Sequence, residues 1–211
     1  MEKFYKLLNT ITHPIFLPLY WFSIELVCRK WYLGTEIFSI YLEYYAIALT
    51  GLVFLPLLFI AIAHFLKLVN IIRPRRSERL ILLFVMALVY ATFLVSTYLH
   101  LQGGNSLINE LLGNLIMLVS HAFVVVSTLI LMETFNLRAS IHVAGWTLFT
   151  YFLIINGIKF RWECILWMVP TAVVITGLVA SLRLRKDHTP KELALGILAA
   201  LVPFFVWLIV V

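Results

Sequence analysis

Long apolar stretches separated by short polar segments dominate the chain. A helix needs about 20 apolar residues to cross the hydrocarbon core of a bilayer. Seven stretches approach or exceed this length, at residues 11–27, 42–66, 80–100, 111–133, 141–158, 164–182 and 193–211. The first and fifth are short, and they contain residues that weaken a membrane helix, such as Pro14 and Asn156. We therefore predict an all-α fold, a polytopic membrane helical bundle with six to seven transmembrane helices.

The composition agrees with this pattern. Hydrophobic residues make up 63% of the chain and charged residues only 12%, whereas soluble domains are about 45–50% apolar. The surplus apolar surface has to face lipid, and no polar stretch is long enough for a separate soluble domain. The sequence thus predicts a single integral-membrane domain, residues 1–211.

The net charge of +6 comes mainly from the short loops between the predicted spans. The loops joining spans two to three, four to five and six to seven lie on one membrane face, which we call the even face. No nucleic-acid motif accompanies their charge, so we expect contacts with anionic membrane lipids and none with nucleic acid. The even face holds ten of the sixteen Lys and Arg residues: Lys67, Arg73, Arg75, Arg76, Arg79, Arg138, Arg183, Arg185, Lys186 and Lys191.

This asymmetry has two explanations. By the positive-inside rule the even face would be cytoplasmic. A phosphate-binding site in the same loops would also gather Lys and Arg, whatever the orientation of the chain. Both explanations stay open at this point.

Two cysteines, Cys28 and Cys164, fall near the face opposite the even face. Their spacing fits no metal-binding pattern. They are either two separate apolar thiols or, if that face is oxidising, a disulfide.

Three polar motifs fall in the three even-face loops, and the residues in them suit phosphoryl transfer. Arginines bind phosphate oxygens through a planar fork of donors and stabilise transition-state charge. One histidine can attack phosphorus while a second protonates the leaving oxygen. Glu192 follows His188 by four residues, so the two share a helix face and the carboxylate can orient the imidazole. The motifs are KLVNIIRPRRSER at residues 67–79, ASIH at residues 139–142 and SLRLRKDHTPKE at residues 181–192.

These motifs resemble those of the type-2 phosphatidic-acid phosphatase superfamily, integral-membrane lipid phosphate phosphatases related to vanadium haloperoxidases. The family signature is Lys-x6-Arg-Pro, then Pro-Ser-Gly-His, then Ser-Arg-x5-His-x3-Asp. The resemblance spans residues 67–192 and is greatest to short, highly apolar members from Bacteroidetes-type bacteria. It implies a location in the bacterial inner membrane.

The first two motifs depart from the family signature. Five residues separate Lys67 from Arg73, where the family has six. Ala139 and Ile141 replace the family's Pro and Gly, although the Ser and His of the second motif stay in register.

The third motif matches the signature best. Ser181 and His188 keep the family spacing, while Leu182 stands at the Arg position, with Arg183 one residue later. Glu192 occupies the position of the family's Asp.

The resemblance implies a role for each matched residue. His188 would be the nucleophile that forms a phosphohistidine, His142 the proton donor and Glu192 the group that orients His188. The substrate would be a lipid phosphate, and the family implies neither a metal nor a cofactor. Phosphate would be bound by Lys67, Arg73, Ser140 and Arg183, and Arg76 or Arg79 could replace Arg73 if that side chain faces away. Apart from the resemblance, Arg138 lies near His142 and could be a further phosphate ligand or a membrane anchor.

The same residues have structural interpretations. Thr189-Pro190-Lys191-Glu192 is a capping box with Pro at the first helical position, which explains Glu192 without catalysis. The arginines between residues 73 and 79 would then be membrane anchors. A chain that has lost activity would be a degenerate relative that binds a lipid phosphate or a partner protein without hydrolysis. A transporter or channel is disfavoured, because the sequence lacks charge pairs at matching depths in its two halves. No pattern indicates an oligomeric state.

Overall fold

The structure is a computed structural model that describes residues 8, 10–30, 42, 45–70, 74–101, 106–160, 163–186 and 188–210. These residues are helical apart from short connections. A 3₁₀ turn, Pro14–Phe16, precedes the first main helix, and a π-helical turn, Thr50–Phe54, leads into the second. The main helices are α1 (Leu17–Lys30), α2 (Leu55–Phe65), α3 (Arg76–Leu101), α4 (Ser106–Thr134), α5 (Ile141–Phe160), α6 (Glu163–Lys186) and α7 (Pro190–Val210).

Five helical segments of the described residues are long and apolar enough to cross a membrane, so the chain is an integral membrane protein with an all-α, polytopic fold. The predicted count of six to seven spans is not confirmed. The helix α1 has 14 residues and is therefore about 21 Å long, shorter than a hydrocarbon core of about 30 Å. The five segments are Tyr45–Phe65, Arg76–Leu99, Gly113–Thr134, Ile141–Lys159 and Trp167–Arg185.

The helix α5 lies at the centre of the bundle. It packs against α1, α4, α6 and α7, and 67% of its span is buried inside the protein, compared with 11% of the span in α6. A helix surface that faces other helices can include polar and small residues, whereas a surface that faces lipid must be apolar. The weak apolar pattern of the fifth stretch therefore reflects its burial by neighbouring helices.

Two glycines allow close approach to α5 and to the connection before it. A Cβ atom at Gly145 would lie 2.6 Å from the Cβ of Pro14. A Cβ atom at Gly196 of α7 would lie 2.7 Å from the backbone oxygen of Ser140. The N-terminal segment and α7 are thus both packed against the beginning of α5 without room for a methyl group.

Two helices end at the even face on residues with left-handed backbone conformation. Lys67 (φ 58°) follows α2 and Asn136 (φ 60°) follows α4. After α4, the N–H of Leu137 donates to the carbonyl of Met132 at 2.8 Å, which is the six-residue hydrogen bond of a Schellman motif. These turns end the two helices at the even face.

Cys28 is buried near the C-terminal end of α1 and is disulfide-bonded. The chain has one other cysteine, Cys164, and its side chain lies outside the described part of the structure. The structure therefore shows Cys28 in a disulfide and not as a separate thiol.

The contact at Gly196 generates a stability prediction. We expect Gly196→Ala to cost about 1–3 kcal/mol, because the methyl group meets backbone that cannot rotate away. For a chain of this size, that lowers the unfolding midpoint by about 2–4 °C per kcal/mol. The measurement is thermal unfolding of the purified protein in detergent.

Gly177 provides the matched control, because a Cβ atom added there meets nothing within 4 Å. Gly177→Ala should leave the midpoint unchanged or raise it slightly. Equal midpoints for the two variants would contradict close packing of α7 on the connection before α5.

Candidate functional site

A cavity of about 1030 Å³ lies between α3, α4, α5 and the segment that precedes α1. Near the even face it is lined by basic and imidazole side chains: His13, Arg79, Arg138, His142, Arg183 and His188. Deeper in the bundle its walls are mainly apolar, formed by residues such as Leu52, Met86, Leu118, Val125 and Phe149. The cavity is therefore amphipathic, with its cations gathered at one membrane face.

His188 and Glu192 form a hydrogen-bonded pair at the start of α7. The Nδ1 atom of His188 lies 2.8 Å from Oε2 of Glu192. A carboxylate can only accept, so the Nδ1–H of His188 donates and the neutral ring keeps its lone pair on Nε2. The capping box is also present: Glu192 Oε2 accepts from the Thr189 N–H at 3.1 Å, and Thr189 Oγ1 accepts from the Glu192 N–H at 3.3 Å. The cap and the histidine partner thus coexist on the same carboxylate.

The pKa values of this pair favour a neutral imidazole beside an ionised carboxylate. Burial lowers the pKa of His188; Glu192 opposes this through its hydrogen bond and charge, and the charges of Arg138 and Arg183 add to the lowering. Burial raises the pKa of Glu192, but the hydrogen bonds from Thr189 and His188 and the charges of His188 and Arg138 outweigh it, so that pKa is lowered overall. His188 therefore presents an unprotonated Nε2 at neutral pH.

His142 lies in the first turn of α5 and lines the same cavity as His188. Its position is tied to α7, because the Ser140 N–H donates to the backbone carbonyl of Glu192 at 2.9 Å. The Nε2 atom of His142 is buried and has no hydrogen-bond partner among the described residues. An unsatisfied imidazole nitrogen in a cavity is available for a ligand.

Three of the predicted phosphate ligands, Arg79, Arg138 and Arg183, line the cavity. Arg79 is buried, forms an ion pair with Glu133 at 3.3 Å and donates to the Ala139 carbonyl at 2.9 Å. Arg138 is half exposed, with its Nε 3.8 Å from Oε1 of Glu192. The cations of the cavity are therefore partly balanced by two carboxylates.

Three of the other predicted phosphate ligands, Lys67, Arg76 and Ser140, do not line this cavity. Lys67 is exposed and serves as the left-handed residue after α2. Arg76 donates to the backbone carbonyls of Glu133 at 2.8 Å and Thr134 at 2.9 Å, which satisfies the end of α4. The Ser140 hydroxyl is fully buried without a hydrogen-bond partner in the described structure, outside the cavity lining. Arg73 lies outside the described residues.

His13 also lines the cavity, although the sequence analysis did not predict it as a site residue. It lies just before Pro14, and its ring centroid is 4.9 Å from that of His142 in an edge-on arrangement. The available signal was its place at the start of the first apolar stretch, which lies on the even face if that stretch crosses the membrane. Within the described residues, no three His, Cys, Asp or Glu side chains are grouped as a metal site requires.

No family model matches the chain, and neither the curated proteins nor the solved structures include a significant match. The assignment of a function therefore depends on the residues that line the cavity.

The buried ion pair between Arg79 and Glu133 generates a second stability prediction. We expect Glu133→Gln to cost about 3–5 kcal/mol, because it leaves the buried Arg79 guanidinium uncompensated. The double variant Arg79→Met, Glu133→Leu should recover much of this loss, since it removes both charges. Thermal unfolding in detergent measures both effects.

Glu163 is the control, because its side chain is exposed in the first turn of α6. Glu163→Gln should change the stability by about 0.5 kcal/mol or less. If Glu133→Gln behaves in the same way, the Arg79–Glu133 pair contributes nothing to the fold.

Proposed function

We propose that the chain is a membrane lipid phosphatase, which hydrolyses a phosphomonoester or diphosphate of an amphiphilic lipid through a phosphohistidine. Phosphatidate, a polyprenyl diphosphate and a phosphorylated glycolipid are the substrate classes that fit. The observation that carries the proposal is that one cavity holds His142, His188 and three arginines beside apolar walls. Such a cavity can bind a phosphate and a hydrocarbon chain at the same time.

The first chemical step uses the two histidines. Nε2 of His188 attacks phosphorus, and the bond between phosphorus and the leaving oxygen breaks. His142, in its protonated form, gives a proton to that oxygen as it departs. Glu192 stabilises the positive charge that develops on His188, as its hydrogen bond to Nδ1 of that residue allows.

The second step regenerates the enzyme. Water attacks the phosphohistidine, His142 takes a proton from the water, and inorganic phosphate leaves while His188 recovers its Nε2 lone pair. Arg79, Arg138 and Arg183 stabilise the charge on the non-bridging oxygens in both steps. The apolar walls hold the lipid chain and exclude water from that part of the cavity.

The proposal extends to the topology. We propose the bacterial inner membrane as the location and α7 as a sixth span, since its 21 residues reach about 30 Å. A seventh span would have to include α1, whose 14 residues are too few to cross the membrane without further residues.

The direct test is phosphate release by the purified protein in detergent, with phosphatidate and undecaprenyl diphosphate as substrates. We expect His188→Ala and His142→Ala each to reduce release by at least about 100-fold, because each removes a nucleophile or a proton donor. Substrate labelled in the phosphate should also leave an acid-labile adduct on the wild type and none on His188→Ala.

His64→Ala is the matched control. His64 lies in the last turn of α2, is exposed, and contacts the carbonyl of Val69 rather than the cavity. The His64→Ala variant should release phosphate at the wild-type rate. A folded wild type that releases none would exclude hydrolysis of these lipids.

The pH dependence follows from the pKa of His188, which is lowered from 6.5. Protonation removes the Nε2 lone pair, so kcat/KM should fall on the acid side with a midpoint below pH 6.5. Glu192→Gln removes a carboxylate that raises this pKa, so the midpoint should move to still lower pH while kcat decreases. A pH profile of phosphate release measures both changes, and a shift to higher pH would contradict the pairing of His188 with Glu192.

A second candidate is a degenerate relative that binds a lipid phosphate without hydrolysis. The position of Lys67 favours it, because the cavity lacks this family cation. The backbone N–H of Ser140 also favours this candidate, because it already donates to the Glu192 carbonyl and is not free to bind phosphate. Saturable phosphatidate binding with no release of phosphate would support this candidate over the phosphatase.

A further inference from the structure

The segment before α1 is fixed against α5 by two contacts. The Trp146 Nε1–H donates to the carbonyl of Thr12 at 2.8 Å. Pro14 packs against Gly145, where an added Cβ atom would lie 2.6 Å from the Pro14 Cβ. His13 lies between these two contacts, so its backbone is held beside the first turn of α5.

The side chain of His13 is also held. Its Nδ1 accepts from the Ile15 N–H at 3.3 Å and caps the 3₁₀ turn. Because Nδ1 accepts, the neutral ring carries its proton on Nε2. The ring meets that of His142 at 84°, with 4.9 Å between the centroids. The imidazole of His142 therefore has an aromatic ring of fixed position at its side.

The other charged or titratable side chains that line the cavity with His13 belong to other segments: Arg79, Arg138, His142, Arg183 and His188. Burial, with a smaller effect from the charge of Arg183, lowers the pKa of His13 to about 4. His13 is consequently neutral at pH 7. A neutral His13 adds no second imidazolium charge beside the ring of His142.

We propose that His13 is a positioning residue of this site, whose ring holds the imidazole of His142 edge-on at the cavity wall in the orientation for proton donation. This inference rests on the proposed phosphatase function. It assigns the N-terminal segment, which lies outside all three motifs, to the functional site.

Two substitutions separate positioning from capping. His13→Asn keeps a side-chain acceptor for the Ile15 N–H, because Asn is a favoured N-cap residue, but it removes the ring. His13→Phe keeps a ring beside His142 and removes the acceptor. If His13 were only a cap, Asn would behave like the wild type and Phe would be the impaired variant.

We expect the opposite order in phosphate release from the better substrate. His13→Asn should lower kcat by about tenfold or more while KM stays within about twofold, because proton donation is misaligned and binding is not. Its unfolding midpoint should match the wild type. His13→Phe should retain more of kcat than His13→Asn. Wild-type kcat in His13→Asn, or a lower kcat in His13→Phe than in His13→Asn, would overturn the proposal.

A second measurement needs no substrate. Ring spectra of the protein labelled with ¹⁵N-histidine, with the His142 signals identified through His142→Gln, report the surroundings of His142. We expect these signals to change in His13→Asn, and unchanged signals would overturn positioning whatever the activity. A wild type that releases no phosphate overturns the proposed function instead, and the ring signals then still decide whether His13 orients His142.

Discussion

Glu192 joins three parts of the even face through hydrogen bonds of its side chain and its backbone. Oε2 accepts from the Thr189 N–H and lies 2.8 Å from Nδ1 of His188, while its backbone carbonyl accepts from the Ser140 N–H. Glu192 thus caps the start of α7, orients His188 and links α7 to the connection before His142. Because His142 lies in α5 and His188 lies just before α7, their relative position depends on this set of bonds. A membrane bundle has little hydrophobic driving force between helices, which gives such polar contacts particular importance.

Much of the fold could be predicted from the sequence, because exposure to lipid demands long apolar helices. The central position of α5 could not, since it depends on contacts with helices from both ends of the chain. Its polar Asn156 and small Gly145 weakened the prediction of a span there. In the structure Asn156 is fully buried and donates to the carbonyl of Phe152 at 2.9 Å, within its own helix. Its amide N–H is thus satisfied within α5, whereas its Oδ1 is buried without a hydrogen-bond partner among the described residues.

The candidate site was predictable where its geometry is local. His188 lies directly before a capping box whose last residue is Glu192, so their contact follows from the local geometry of the helix start. The direction of Lys67 does not follow from its spacing, because it depends on how α2 ends. Arg76 likewise satisfies carbonyls of another helix. His13 belongs to no motif, and its approach to His142 depends on the packing of two segments that are distant in the sequence.

The hydrogen bond between Trp146 and Thr12 spans 134 positions of the chain. Synthesis proceeds from the N-terminus, so His13 leaves the ribosome well before α5 has been made. The wall formed by the N-terminal segment can close only after α5 has entered the membrane and presented Gly145 to Pro14. The cavity is therefore a late product of assembly, and the order in which the helices join the bundle determines when the histidines first meet.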